Sequence, residues 1–149
     1  MSQRIAIFIS GSGSNAERII AHFQNHQSIQ VVMVLSNNAE AQGLQRAARL
    51  NIPTQVFNKI QFRESDEVIQ ILKTAGVTHV VLAGFLWLMP PNFIETFPHR
   101  IINIHPALLP KFGGKGMYGM RVHEAVKAAG ETETGITIHH VNEHYDEGN

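Results

Sequence analysis

The chain reads as an α/β protein built on a Rossmann-like, mostly parallel sheet with helices on both faces. Three observations predict this. The apolar runs at 5–9 and 31–35, and Val80-Val81-Leu82-Ala83 within the strand at 77–84, are continuous rather than alternating, as expected of strands covered on both sides. Helical patterns separate them, the order in which parallel strands are normally connected. The first run leads directly into Ser10-Gly11-Ser12-Gly13-Ser14-Asn15, a glycine-rich turn opening a helix.

Length and charge narrow the field. With 149 residues the chain reads as a single domain, 1–149, large enough to bury about 70% of its unfolded surface without a covalent staple. It has no cysteine, which excludes disulfides, a thiol nucleophile and thiolate metal sites, and suits a cytoplasmic location. Lys plus Arg and Asp plus Glu both total 12, with no run of like charge that would mark a nucleic-acid or membrane face. The first apolar run, five residues long, is too short for a signal-peptide core or a membrane span.

The elements follow in order. The strand at 5–9 meets the glycine-rich turn, and a helical pattern begins at 16–21. Free N–H groups and the positive end of a helix dipole converge at such a turn, so Gly13, Ser14 and Asn15 suit an anion. A tight turn with a Ser or Asn cap is the plainer alternative. The turn lacks the third glycine of the dinucleotide fingerprint, and the strand at 31–35 ends in Ser36-Asn37-Asn38 rather than an acid for a ribose hydroxyl. A monophosphate ester therefore fits better than NAD.

A helix over 41–50, a short strand near 54–57 and a helix over 64–75 ending at Gly76 come next. Arg63 opens that last helix, and taken alone it reads as a solvated surface charge. The strand at 77–84 runs into Phe85-Leu86-Trp87-Leu88-Met89-Pro90-Pro91, which suits either a slot for a flat ligand or an apolar turn under a helix. A short helix over 92–97, a strand over 100–105, a helix over 121–129 and a strand over 135–141 complete the series. The loop at 113–119 is glycine-rich but is no Walker loop, because its lysine is followed by glycine. His139, His140 and His144 do not read as a metal site, since neighbours on a strand face opposite ways.

The stretch Asn103-Ile104-His105-Pro106 concentrates the chemistry. Residues two apart on a strand leave the same face, so Asn103 and His105 form a pair while Ile102 and Ile104 turn into a core. Pro106 ends the strand and leaves the pair at its carboxyl end, the edge where open α/β sheets bind ligands. An amide donor beside a group that titrates near neutrality suits a carbonyl reaction, one steadying an oxyanion and the other moving a proton. A turn cap and a half-buried histidine would also account for the two residues.

Gly13-Ser14-Asn15, Leu82-Ala83-Gly84-Phe85, Asn103-Ile104-His105-Pro106 with Leu108-Leu109-Pro110, and the strand from Gly135 to His139 leading to Asp146 together resemble the phosphoribosylglycinamide formyltransferase family, in order along the chain. The resemblance implies the formyltransferase fold and transfer of a formyl group from 10-formyltetrahydrofolate to the amine of glycinamide ribonucleotide in purine synthesis. By the same resemblance Asn103, His105 and Asp146 match the catalytic trio, and Gly13, Ser14 and Asn15 the substrate-phosphate site. Arg63, Leu86, Trp87, Leu88 and Met89, with Asn142, Glu143, His144 and Tyr145, match folate contacts, and His139 a supporting histidine. Small-molecule substrates are the implied partners, with no nucleic acid, membrane or metal, and a homodimer is left open.

Two departures from the family pattern stand out. The region 114–119 is longer and richer in glycine than the commonest version. The family continues with a further strand and helix, so the expectation is a domain cut short at its carboxyl end. Another folate-dependent formyltransferase, a formyl-folate hydrolase and a non-catalytic nucleotide-binding module are the competing readings.

Overall fold

The computed structural model describes residues 3–105 and 137–140, which form one six-stranded sheet in the order β3-β2-β1-β4-β5-β6. The strands are β1 (Gln3–Ile9), β2 (Ile29–Ser36), β3 (Thr54–Val56), β4 (His79–Ala83), β5 (Ile101–His105) and β6 (Thr137–His140). The first five run parallel, and β6 lies antiparallel against β5. The expected helix over 121–129 and the loop at 113–119 lie outside the described residues.

The sheet is covered on both faces, as the unbroken apolar runs require. Ile5, Ile7 and Ile9 of β1 pack with Val81, Ala83, Ile102 and Ile104 against α1 (Ser14–Phe23) and α2 (Gln42–Arg49). Ala6 and Phe8 turn the other way. They join Val80, Leu82 and Ile101 under α3 (Lys59–Arg63), α4 (Glu67–Thr74) and α5 (Pro91–Thr96). This second face is held by aromatic rings: Phe62 lies within 6.3 Å, centroid to centroid, of Phe8, Phe57, Phe85, Trp87 and Phe93.

One expected helix starts late and gains a neighbour. The helix expected over 64–75 begins at Glu67 as α4, and a short helix not expected from the sequence, α3, precedes it and ends at Arg63. Asn58 and Gln61 make a capping box, each side chain bonding the other's backbone N–H at 2.8 Å, and this starts a helical turn before Arg63. Arg63 therefore ends α3. Gly76 takes the expected left-handed stop after α4, with φ 74°.

Replacing Phe62 by Ala should cost about 3–5 kcal/mol of folding stability, because a fully buried ring leaves a cavity between five others. The shift of the urea unfolding midpoint measures it, and a loss below about 1 kcal/mol would contradict this packing.

Candidate active site at the carboxyl ends of the strands

The winding direction reverses at β1, with β2 on one side of it and β4 on the other. A crevice opens beyond the carboxyl ends of strands at such a reversal. It is present here as a cavity of about 230 Å³ walled by Gly11, Ser12, Gly13, Ser14 and Asn15 from the turn after β1, and by Ala83 and Gly84 from the end of β4.

The turn leaves the start of a helix open toward the crevice. Gly13 is the N-cap of α1 with φ 72° and makes no side-chain cap hydrogen bond. The first N–H groups of any helix lack intrahelical acceptors, so this start presents donors and the positive end of the dipole without a side chain covering them. The turn is also braced from behind. Gly43 N–H donates to the Gly11 carbonyl at 3.0 Å, and a Cβ on Gly13 would fall 2.5 Å from the Gly43 Cα. A Cβ on Gly43 would in turn sit 2.4 Å from Ile9 Cδ1 and 2.8 Å from the Gly13 Cα. Two backbones touch at these glycines, and an ion pair between Glu17 of α1 and Arg46 of α2 ties the same two helices.

Asn103 stands one strand beyond the crevice. It pairs in register with Leu82 of β4 and His139 of β6, and it is buried at 5% exposure. Ile102 and Ile104 belong to the core under α1 and α2, so Asn103 leaves from the opposite face, as the strand alternation predicts. His105 is the last residue of β5, level with the end of β4. Asn103 is not among the described residues that wall the crevice. Asp146, Asn142, Glu143, His144 and Tyr145 lie outside the described residues.

The apolar stretch after β4 splits between inside and outside. Phe85 and Met89 are buried at 5%, whereas Leu86 and Leu88 are 80% and 51% exposed. Trp87 is half-buried against Phe57, Phe62 and Phe85, with the Lys59 ammonium 5.6 Å from its ring centroid. Arg63 Nη2 donates to the Leu88 carbonyl at 3.2 Å, so two sequence-predicted regions 25 residues apart meet at this loop. An indole resting on phenyl rings with two leucines open to solvent makes an apolar ledge suited to a flat ring system.

A further polar group at this edge was not singled out by sequence. Ser10, the first residue after β1 and only 8% exposed, donates its hydroxyl to Asn37 Oδ1 at 2.7 Å and accepts from the Leu86 N–H at 2.9 Å. Its one sequence signal is a serine where the apolar run of β1 stops. Among the described residues no group of three His, Cys, Asp or Glu could hold a metal, and no helix is long and apolar enough to cross a membrane.

Fold and crevice together define an α/β protein with an uncapped, glycine-rich helix start at its switch point and with Asn103 and His105 on the neighbouring strand β5. Residues 3–149 match the family model described as formyl transferase, and the chain belongs to that family. It is 43% identical over 152 residues to the chloroplastic phosphoribosylglycinamide formyltransferase of Arabidopsis thaliana, covering 98% of this chain and 52% of that one. It is 38% identical to the phosphoribosylglycinamide formyltransferase of Haemophilus influenzae, covering 98% and 69% respectively. The crystal structure of the enzyme of that name from Anaplasma phagocytophilum superposes with a TM-score of 0.74 at 35% identity, covering 99% of this chain and 68% of that chain. The chain spans about half the length of its two plant relatives, at 52% and 48%.

Gly13→Ala should destabilise the protein by about 1–3 kcal/mol, since it forces a left-handed residue and a backbone clash at once. Thermal unfolding measures this, and an unchanged midpoint would mean that the turn is not held against α2.

Proposed function

We propose that this chain transfers a formyl group from 10-formyltetrahydrofolate to the amine of glycinamide ribonucleotide, a step of purine synthesis. The observation that carries the reading is the juxtaposition of β1, β4 and β5, which sets an anion-receiving turn and the Asn103 strand end at one sheet edge. Membership of the formyl transferase family and the names of the relatives agree with it.

In this reading the N–H groups at Gly13, Ser14 and Asn15 hold the ribonucleotide phosphate. The uncapped helix start and the glycine contact behind it support that role. The folate ring lies along the ledge of Leu86, Trp87, Leu88 and Met89, whose backbone Arg63 steadies. Asn142, Glu143, His144 and Tyr145 complete the folate side.

The chemistry explains the residue types. An amine attacking a formyl carbon develops negative charge on the formyl oxygen, and the amide of Asn103 is a donor for it. His105 at the strand end supplies a second donor and a proton carrier near neutrality. Asp146 takes the proton from the attacking amine, directly or through water, or balances a cationic His105, and as the tetrahedral species collapses the bond between the formyl carbon and folate N10 breaks and a proton reaches N10. His139 stands opposite Asn103 in the β5–β6 register, where a supporting role falls naturally. Holding amine and formyl carbon at one edge removes the entropy cost of bringing two substrates together.

The test follows folate product by absorbance with glycinamide ribonucleotide present and withheld; product formed equally in both would contradict transfer. His105→Ala should lower turnover by at least about a hundredfold, with the far-UV circular dichroism spectrum unchanged. Asn103→Ala should cost about a hundred- to a thousandfold, as for other lost oxyanion donors. A His105→Ala protein as active as the parent would remove the assigned role.

A further inference from the structure

The Ser10 hydroxyl joins three strand ends. It sits at the base of the anion-receiving turn, immediately before Gly11, yet does not wall the crevice among the described residues. Its proton is committed to Asn37 at the end of β2, and its lone pair receives the Leu86 N–H from the loop after β4. The first bond orients the second: with the hydroxyl hydrogen directed at Asn37 Oδ1, a lone pair is free to accept from Leu86.

Leu86 itself has little else to hold it. Its side chain is 80% exposed and buries almost nothing, so its backbone place depends on hydrogen bonding. The next residue is Trp87. Ser10 thus controls where the ledge begins, whereas Arg63 holds it two residues on, at the Leu88 carbonyl.

We propose that Ser10, oriented by Asn37, is a positioning residue that sets the 84–89 loop against the anion-receiving turn, and so sets affinity for the formyl donor without touching either substrate. The part concerning the donor rests on the function proposed above. The part concerning the loop does not.

Trp87 is the only tryptophan of the chain, so its fluorescence reports on this loop alone. Ser10→Ala should raise acrylamide quenching of Trp87 about twofold, because a loop with a lost anchor opens to solvent. It should raise the KM for formyl folate about tenfold, the size expected when a partly buried N–H loses its acceptor. The KM for glycinamide ribonucleotide and kcat should stay within about twofold. Asn37→Asp keeps an acceptor for the hydroxyl and should restore nearly parental values, whereas Asn37→Leu should resemble Ser10→Ala and serves if that variant does not fold.

Parental quenching and parental KM in Ser10→Ala or Asn37→Leu would overturn the proposal. So would an equal worsening of kcat and both KM values, which a merely structural role would give. If the parent protein turns over no formyl folate, the functional reading falls. The quenching comparison then still decides whether Ser10 holds the loop.

Discussion

Everything in this molecule depends on β1 being buried on both faces while the chain winds away from it in opposite directions. Ile5, Ile7 and Ile9 must be covered by α1 and α2, and Phe8 by the rings under α3, α4 and α5. The chain leaves β1 through α1 to β2 on one side, and after β3 it crosses back to place β4 on the other side of β1. The loops leaving β1 and β4 then diverge and leave a hollow that no side chain of the core fills. The crevice is thus a consequence of how the core is covered.

Close contact keeps that hollow in shape. The Gly13 and Gly43 backbones touch where any Cβ would intrude, so the turn is pressed against α2 without a side chain between them. The Glu17–Arg46 ion pair, partly buried, spans the same two helices. On the other side of the sheet the aromatic cluster reaches the surface at Trp87, making the ledge an outcrop of the core. A rigid turn and a ledge anchored in the core are the two things a two-substrate transfer needs from its scaffold.

Much of this was legible in the sequence, because it rests on patterns of short range. Apolar runs gave the strands, the turn at 11–15 gave the strand-to-helix junction after β1, and alternation around Asn103 gave the facing of Ile102 and Ile104. The extra helix α3 was written there too, in Asn58 and Gln61 three residues apart, but the helical spacing after Glu64 drew attention to the next helix instead. Ser10 and Gly43 could not be read in this way. Their roles come from partners 76 and 27 residues distant for Ser10, and from a backbone approach between two helices for Gly43. The apolar stretch at 85–89 was ambiguous because only the packing decides which of its side chains turn inward.

The central claim is that one sheet edge holds both a phosphate and the reacting carbonyl. A crystal structure with glycinamide ribonucleotide and a non-transferable formyl-folate analogue bound tests it most directly. The account predicts the phosphate on the N–H groups at Gly13, Ser14 and Asn15, the folate ring along Leu86 to Met89, and the amine within reach of Asn103 and His105. A phosphate bound elsewhere, or an amine on the far side of the sheet from Asn103, would contradict it.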